Sequence, residues 1–72
     1  MTDREWMDAL AEELGIAAPT PDEHEAILRL AGVAAHASER TAAPSTAWMA
    51  ARTGRPIGEV LEVAERLAAA RA

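Results

Sequence analysis

Seventy-two residues set the chain near the lower limit for one domain that must bury a core without staples, and the absence of cysteine removes disulfides and thiolate-bound zinc as sources of stability. Half of the residues are hydrophobic, but nineteen of them are alanine, which favours helix while burying little surface, so the core is thin. A formal charge of −5 argues against a general nucleic-acid binder, because neutralising phosphates needs clustered cations.

In chain order, a first helix is predicted from Thr2 or Asp3, where Thr2 and Glu5 have capping-box spacing, to a stop at Gly15. Its apolar stripe is Trp6, Leu10 and Leu14, with Met7 alongside. Ile16 to Pro19 reads as a connector. Thr20, Pro21, Asp22 and Glu23 then form the clearest helix start: a capping threonine, proline in the first helical position and two acids at the positive end of the dipole. This second helix is predicted to run through Ile27, Leu30 and Val33 as far as Glu39 or Arg40, with Ala31, Gly32, Ala34, Ala35 and Ala37 offering a smooth stretch for close approach of another backbone. Thr41 to Pro44 is expected to break the pattern, because Pro44 can open a helix but disfavours helical geometry in the residue before it, and a third helix is predicted to include Ser45 to Arg52, present Trp48 and Met49 and finish at Gly54. Pro56 leads into a last helix, in which Ile57, Val60 or Leu61, Ala64, Leu67 and Ala68 recur with helical period.

No segment alternates as strands do, so the expected fold is all-α: a compact bundle of about four short helices in a single domain spanning residues 1–72. Both tryptophans are expected to anchor the core, since they sit in apolar stripes. The amino terminus lacks a basic region followed by an apolar run, and no stretch has the length of a membrane span, which makes a cytoplasmic protein with no membrane partner the expectation.

Three groups of residues invite functional readings. His36, Glu39 and Arg40 are expected to share one helical face by i+3 and i+4 spacing, where a histidine and a carboxylate could share a proton or hold an anion with the arginine. The competing reading is structural: His36 and Glu39 cap the next helix, and Arg40 pairs with an acid of the first half. Pro44, Ser45 and Thr46 open a helix whose free amides suit a phosphate, with Arg40, Arg52 and Arg55 supplying charge in a stretch, residues 40 to 55, that contains no acid. Ordinary N-capping and solvated arginines are the alternative. His36 and Glu39 do not by themselves close a metal site, because zinc needs three or four ligands and His24 lies about three helical turns upstream. Ser45 has no nucleophile elbow around it, the second helix lacks the Asp-Ser-Leu attachment motif of acyl carrier proteins, and a helix-turn-helix reader is countered by Glu59, Glu62 and Glu65 on the would-be recognition helix.

The stretch Ala26 to Gly54 contains Ala35, His36, Glu39 and Arg40 in an A-H-x-x-E-R arrangement, followed by Ala43, Pro44 and a short segment ending in Gly54. With the opening Trp6, Leu10, Leu14 and Gly15, it resembles a small actinobacterial all-helical domain family of unknown function, found alone or fused to molybdenum cofactor guanylyltransferase-like proteins. Trp48 and Met49 depart from that pattern, where a smaller aromatic or a leucine pair is more usual. The resemblance carries over no catalytic residue and no cofactor. It implies a non-enzymatic accessory or interaction module in molybdenum cofactor maturation, with a nucleotidyltransferase or maturation factor as partner and the end of the second helix and the third helix as contact surface. The rival reading is a small anion- or nucleotide-binding or catalytic helper using His36, Glu39 and Arg40. A homodimer through the alanine-rich faces of the second and fourth helices is the third.

Overall fold

The computed structural model describes residues 1–71, and among them the chain forms four helices and no strand: α1 (Asp3–Leu14), α2 (Pro21–Ala37), α3 (Ala42–Thr53) and α4 (Ile57–Ala70). The first two starts are written locally. In α1 the Thr2 hydroxyl accepts from Glu5 N at 3.0 Å, while Glu5 Oε1 accepts from Thr2 N at 2.9 Å. Thr20 and Glu23 repeat the arrangement at α2, at 3.1 and 2.8 Å. Each pair satisfies two amides that the first turn leaves without partners. Gly15 and Gly54 end α1 and α3 in the left-handed region, both at φ 70°, which a side chain would strain.

Two boundaries differ from the sequence reading. α2 stops at Ala37, short of Glu39 and Arg40, because Ser38 turns both its amide and its hydroxyl onto the Ala34 carbonyl, at 3.1 and 2.7 Å, and leaves helical geometry. α3 begins at Ala42, ahead of Pro44. The proline occupies the third helical position, where a missing amide removes no intrahelical bond, and the amides before it are held in a tight turn, Ala42 N donating to Glu39 O at 2.9 Å and Ala43 N to Arg40 O at 3.1 Å.

α2 is the central element and packs against both α3 and α4, which touch each other much less. The core consists of Leu30, Ala50 and Leu61, one residue from each of these helices, with Val33, Ile57, Val60 and Ala64 against it. Leu30 is the one large side chain fully removed from solvent among the described residues. An ion pair between Arg29 and Glu65, at 3.4 Å, bridges α2 and α4 on the surface.

α1 lies to one side: no Cα of this helix comes within 8 Å of a Cα in another helix. Two polar contacts near its start tie it down. Arg4 Nη1 donates to the Pro19 carbonyl at 2.8 Å, and His24 Nε2 lies 3.2 Å from Asp3 Oδ2. The hydrogen bond from His24, followed by that from the Arg4 amide, holds the Asp3 carboxyl below its usual range. The expectation for the tryptophans is overturned, since Trp6 is 57% and Trp48 62% exposed, and Leu10 and Leu14 are exposed as well. Period alone located an apolar stripe on α1, but the face of that helix that is covered is the adjacent one, with Ala11 buried and Met7 half-buried.

Candidate functional site

A concavity opens where α3 and α4 both pack on α2 but touch each other little. It is an open groove of about 570 Å³. Leu30, Val33, Ala34 and Ala37 of α2 form its floor. On α3, Ala42, Thr46, Met49, Ala50 and Thr53 recur every three to four residues to make one wall. Val60, Val63, Ala64, Leu67 and Ala68 of α4, with Arg71 just past its end, make the other. Among the described residues the lining is apolar apart from three hydroxyls and Arg71, the one charged side chain along it. Met49, Val63 and Leu67 are exposed, so the walls present large apolar groups to solvent. Alanine explains the opening: on α2 and α4 it keeps the helix but supplies too little volume to close the space that the larger residues frame.

The sequence-predicted residues fall around this groove and do not converge. His36 sits exposed in the last turn of α2. Glu39 and Arg40 lie beyond the helix end in the α2–α3 turn, exposed, so the single helical face proposed for the three does not form. Pro44 and Ser45 are exposed within the first turns of α3, and Thr46 is half-buried as part of the groove wall. The amide cradle expected at Pro44 to Thr46 is replaced by the tight turn described above: with α3 starting at Ala42, the amides ahead of the proline already have carbonyl partners. Arg52 lies over the Trp48 ring, 4.9 Å from its centroid. The amide of Arg55 donates to Thr53 Oγ1 at 3.1 Å.

A second, smaller cleft of about 410 Å³ adjoins the first at the carboxyl ends of α2 and α4, bringing His36 beside Arg71, Val33, Ala37 and Ala68. Sequence reasoning did not pair His36 with Arg71, which are thirty-five positions apart. Nor did it see the α4 wall as a site, although Val63 widens the apolar stripe of that helix beyond what one neighbour can cover. Gly32 is not a point of close approach, since a Cβ added there meets nothing within 4 Å. No helix among the described residues is long and apolar enough to cross a membrane.

No curated protein and no solved structure matches the chain. A family does, across nearly its whole length: from residue 2 to residue 72 the chain belongs to DUF6457, a domain of unknown function.

Proposed function

We propose that this chain is a non-enzymatic interaction module whose α2–α3–α4 groove receives the apolar face of a helix, and that it serves molybdenum cofactor guanylylation as an accessory to the nucleotidyltransferase or another maturation factor. The groove carries the first part: a concavity lined almost wholly by apolar groups, with exposed Met49, Val63 and Leu67 on its walls, suits an amphipathic helix. The second part rests on the resemblance of Ala26 to Gly54 and of the Trp6 to Gly15 segment to domains fused to guanylyltransferase-like proteins. Purified nucleotidyltransferase should bind the chain in a titration, and Met49→Asp or Leu67→Asp should weaken binding by at least about tenfold, the loss of an interface anchor. Absence of binding removes the maturation role, and binding indifferent to both substitutions removes the groove.

One observation favours an anion-binding reading, the cleft shared by His36 and Arg71. Titration with GTP, followed through the amides of residues 33 to 40 and 68 to 71, tests it. Shifts lost in His36→Ala and Arg71→Ala support it, and no shift at millimolar nucleotide ends it.

A further inference from the structure

We infer that the groove is filled by α1 of a second copy of this chain, each protomer laying the Trp6, Leu10 and Leu14 stripe of its first helix into the α2–α3–α4 groove of the other. The inference rests on the reading of the groove as a helix-docking surface and names the occupant that holds it until a partner helix displaces it.

Three observations point the same way. The first is surface area. The accessible surface is 5605 Å², whereas a compact monomer of 7.6 kDa exposes about 4300 Å² by the size scaling of globular proteins. The radius of gyration, 12.9 Å, likewise exceeds the roughly 11 Å of a compact chain this long. The excess is about 1300 Å² per chain, and an ordinary stable interface removes about 800 Å² from each partner. A dimer therefore returns each protomer towards normal solvent exposure.

The second is shape and hydrophobicity. α1 offers an apolar ridge on which Trp6 and Leu14 are exposed and Leu10 is partly covered, and the groove offers an open apolar furrow. From Trp6 to Leu14 the ridge is about 12 Å long, and the wall from Val60 to Arg71 is about 16 Å at the helical rise. The polar ties of α1, Arg4 to Pro19 and Asp3 to His24, hold it at the start of α2, while the groove lies over the second half of that helix. They place the ridge out of reach of its own groove and leave it free for another's.

The third is charge. α1 carries Asp3, Glu5, Asp8, Glu12 and Glu13 against the single Arg4. Among the described residues the groove is lined by no acidic side chain, and its one charged side chain is Arg71. Glu59, Glu62 and Glu65 of α4 are absent from the lining, and Glu65 faces Arg29 instead. An acidic helix thus meets an acid-free, cation-ended furrow, and reciprocal exchange closes the assembly at two copies.

Light scattering on the full chain, from roughly 1 μM to 1 mM, tests the exchange together with two variants at exposed positions, Leu10→Glu in the ridge and Leu67→Glu in the wall, their helicity checked by circular dichroism. The expected result is a wild-type dimer, each variant monomeric or weakened by about 30-fold at each of the two junctions, about 1000-fold in all, and partial recovery of dimer mass when the two are mixed, since the mixed pair has one intact junction and gathers both lesions in the other. A wild-type chain monomeric at 1 mM overturns the inference, as does a dimer lost in Leu67→Glu but kept in Leu10→Glu, or a mixture no more dimeric than either variant alone. Any of these, alongside a nucleotidyltransferase titration that still depends on Met49, ends the exchange while leaving the docking groove intact.

Discussion

Removing the Leu30 side chain measures how much of the fold depends on the small core. Leu30 is 0% exposed, and its neighbours in the core are an alanine and a leucine contributed by different helices. Leu30→Ala deletes three carbon atoms from the junction of α2, α3 and α4, and buried Leu→Ala changes cost about 2–5 kcal/mol. The floor of the groove is open to solvent on one side, so water or relaxation fills part of the space, which places the cost near the lower end, about 2–3 kcal/mol. At about 0.05–0.15 kcal/mol per residue, a chain of this length has a total stability of roughly 4–11 kcal/mol, so this one change removes a large share. For a domain this small it corresponds to a fall in Tm of roughly 10–20 °C. Urea and thermal unfolding followed at 222 nm, with Leu28→Ala as the exposed control, decide it. If Leu30→Ala costs no more than Leu28→Ala, the core does not lie where α2 crosses the other two helices.

Gly32 and Gly54 should respond with opposite signs to the same substitution: Gly32→Ala, mid-helix and with open space for its Cβ, should stabilise by about 0.5–1 kcal/mol, while Gly54→Ala, at φ 70°, should destabilise by about 1 kcal/mol, both read from urea midpoints. Asp3 is held below its usual value by the hydrogen bond from His24 and the Arg4 amide, and Glu5 by hydrogen bonds from the amide and hydroxyl of Thr2, so the stability they contribute is present above the unfolded carboxylate range near pH 4 and lost as pH falls through the lower folded values. The protection of α1 amides against exchange, relative to the intrinsic rate at each pH, should therefore fall in acid before that of α2, and Asp3→Asn should loosen α1 already at neutral pH; equal protection of the two helices at every pH contradicts the weaker attachment of α1. Arg52→Ala should change Trp48 fluorescence while altering stability by no more than about 0.5–1 kcal/mol, as for an exposed cation–π pair, and a larger loss would mean that the ring is part of the core.

The helix count was legible in the sequence because caps and glycine stops act within a few residues: Thr2 with Glu5, Thr20 with Pro21, and Gly15 and Gly54 all stand where local rules put them. The region from Ser38 to Pro44 was not, since two local preferences compete there. Ser38 ends α2 by bonding back to Ala34, and the tight turn through Glu39 and Arg40 carries α3 past the restriction that Pro44 puts on Ala43. With that boundary went the shared face of His36, Glu39 and Arg40. Periodicity identified Trp6 and Leu10 as one stripe but carried no information on what covers it, because apolar residues facing a core and apolar residues facing a partner repeat alike. The groove was invisible for a related reason: it exists through the angle between α3 and α4, a relation between distant segments.

That angle is set in very little chain. Only Gly54, Arg55 and Pro56 separate α3 from α4, and all three are constrained: Gly54 in the left-handed region, the Arg55 amide on Thr53 Oγ1, and Pro56 at φ −54°, with its carbonyl accepting from Glu59 N at 3.0 Å. A joint so restrained behaves as a bracket rather than a hinge. The gape between the two jaws is set before anything arrives, so an incoming helix meets a seat already cut to width and loses little of its binding energy to reshaping the host.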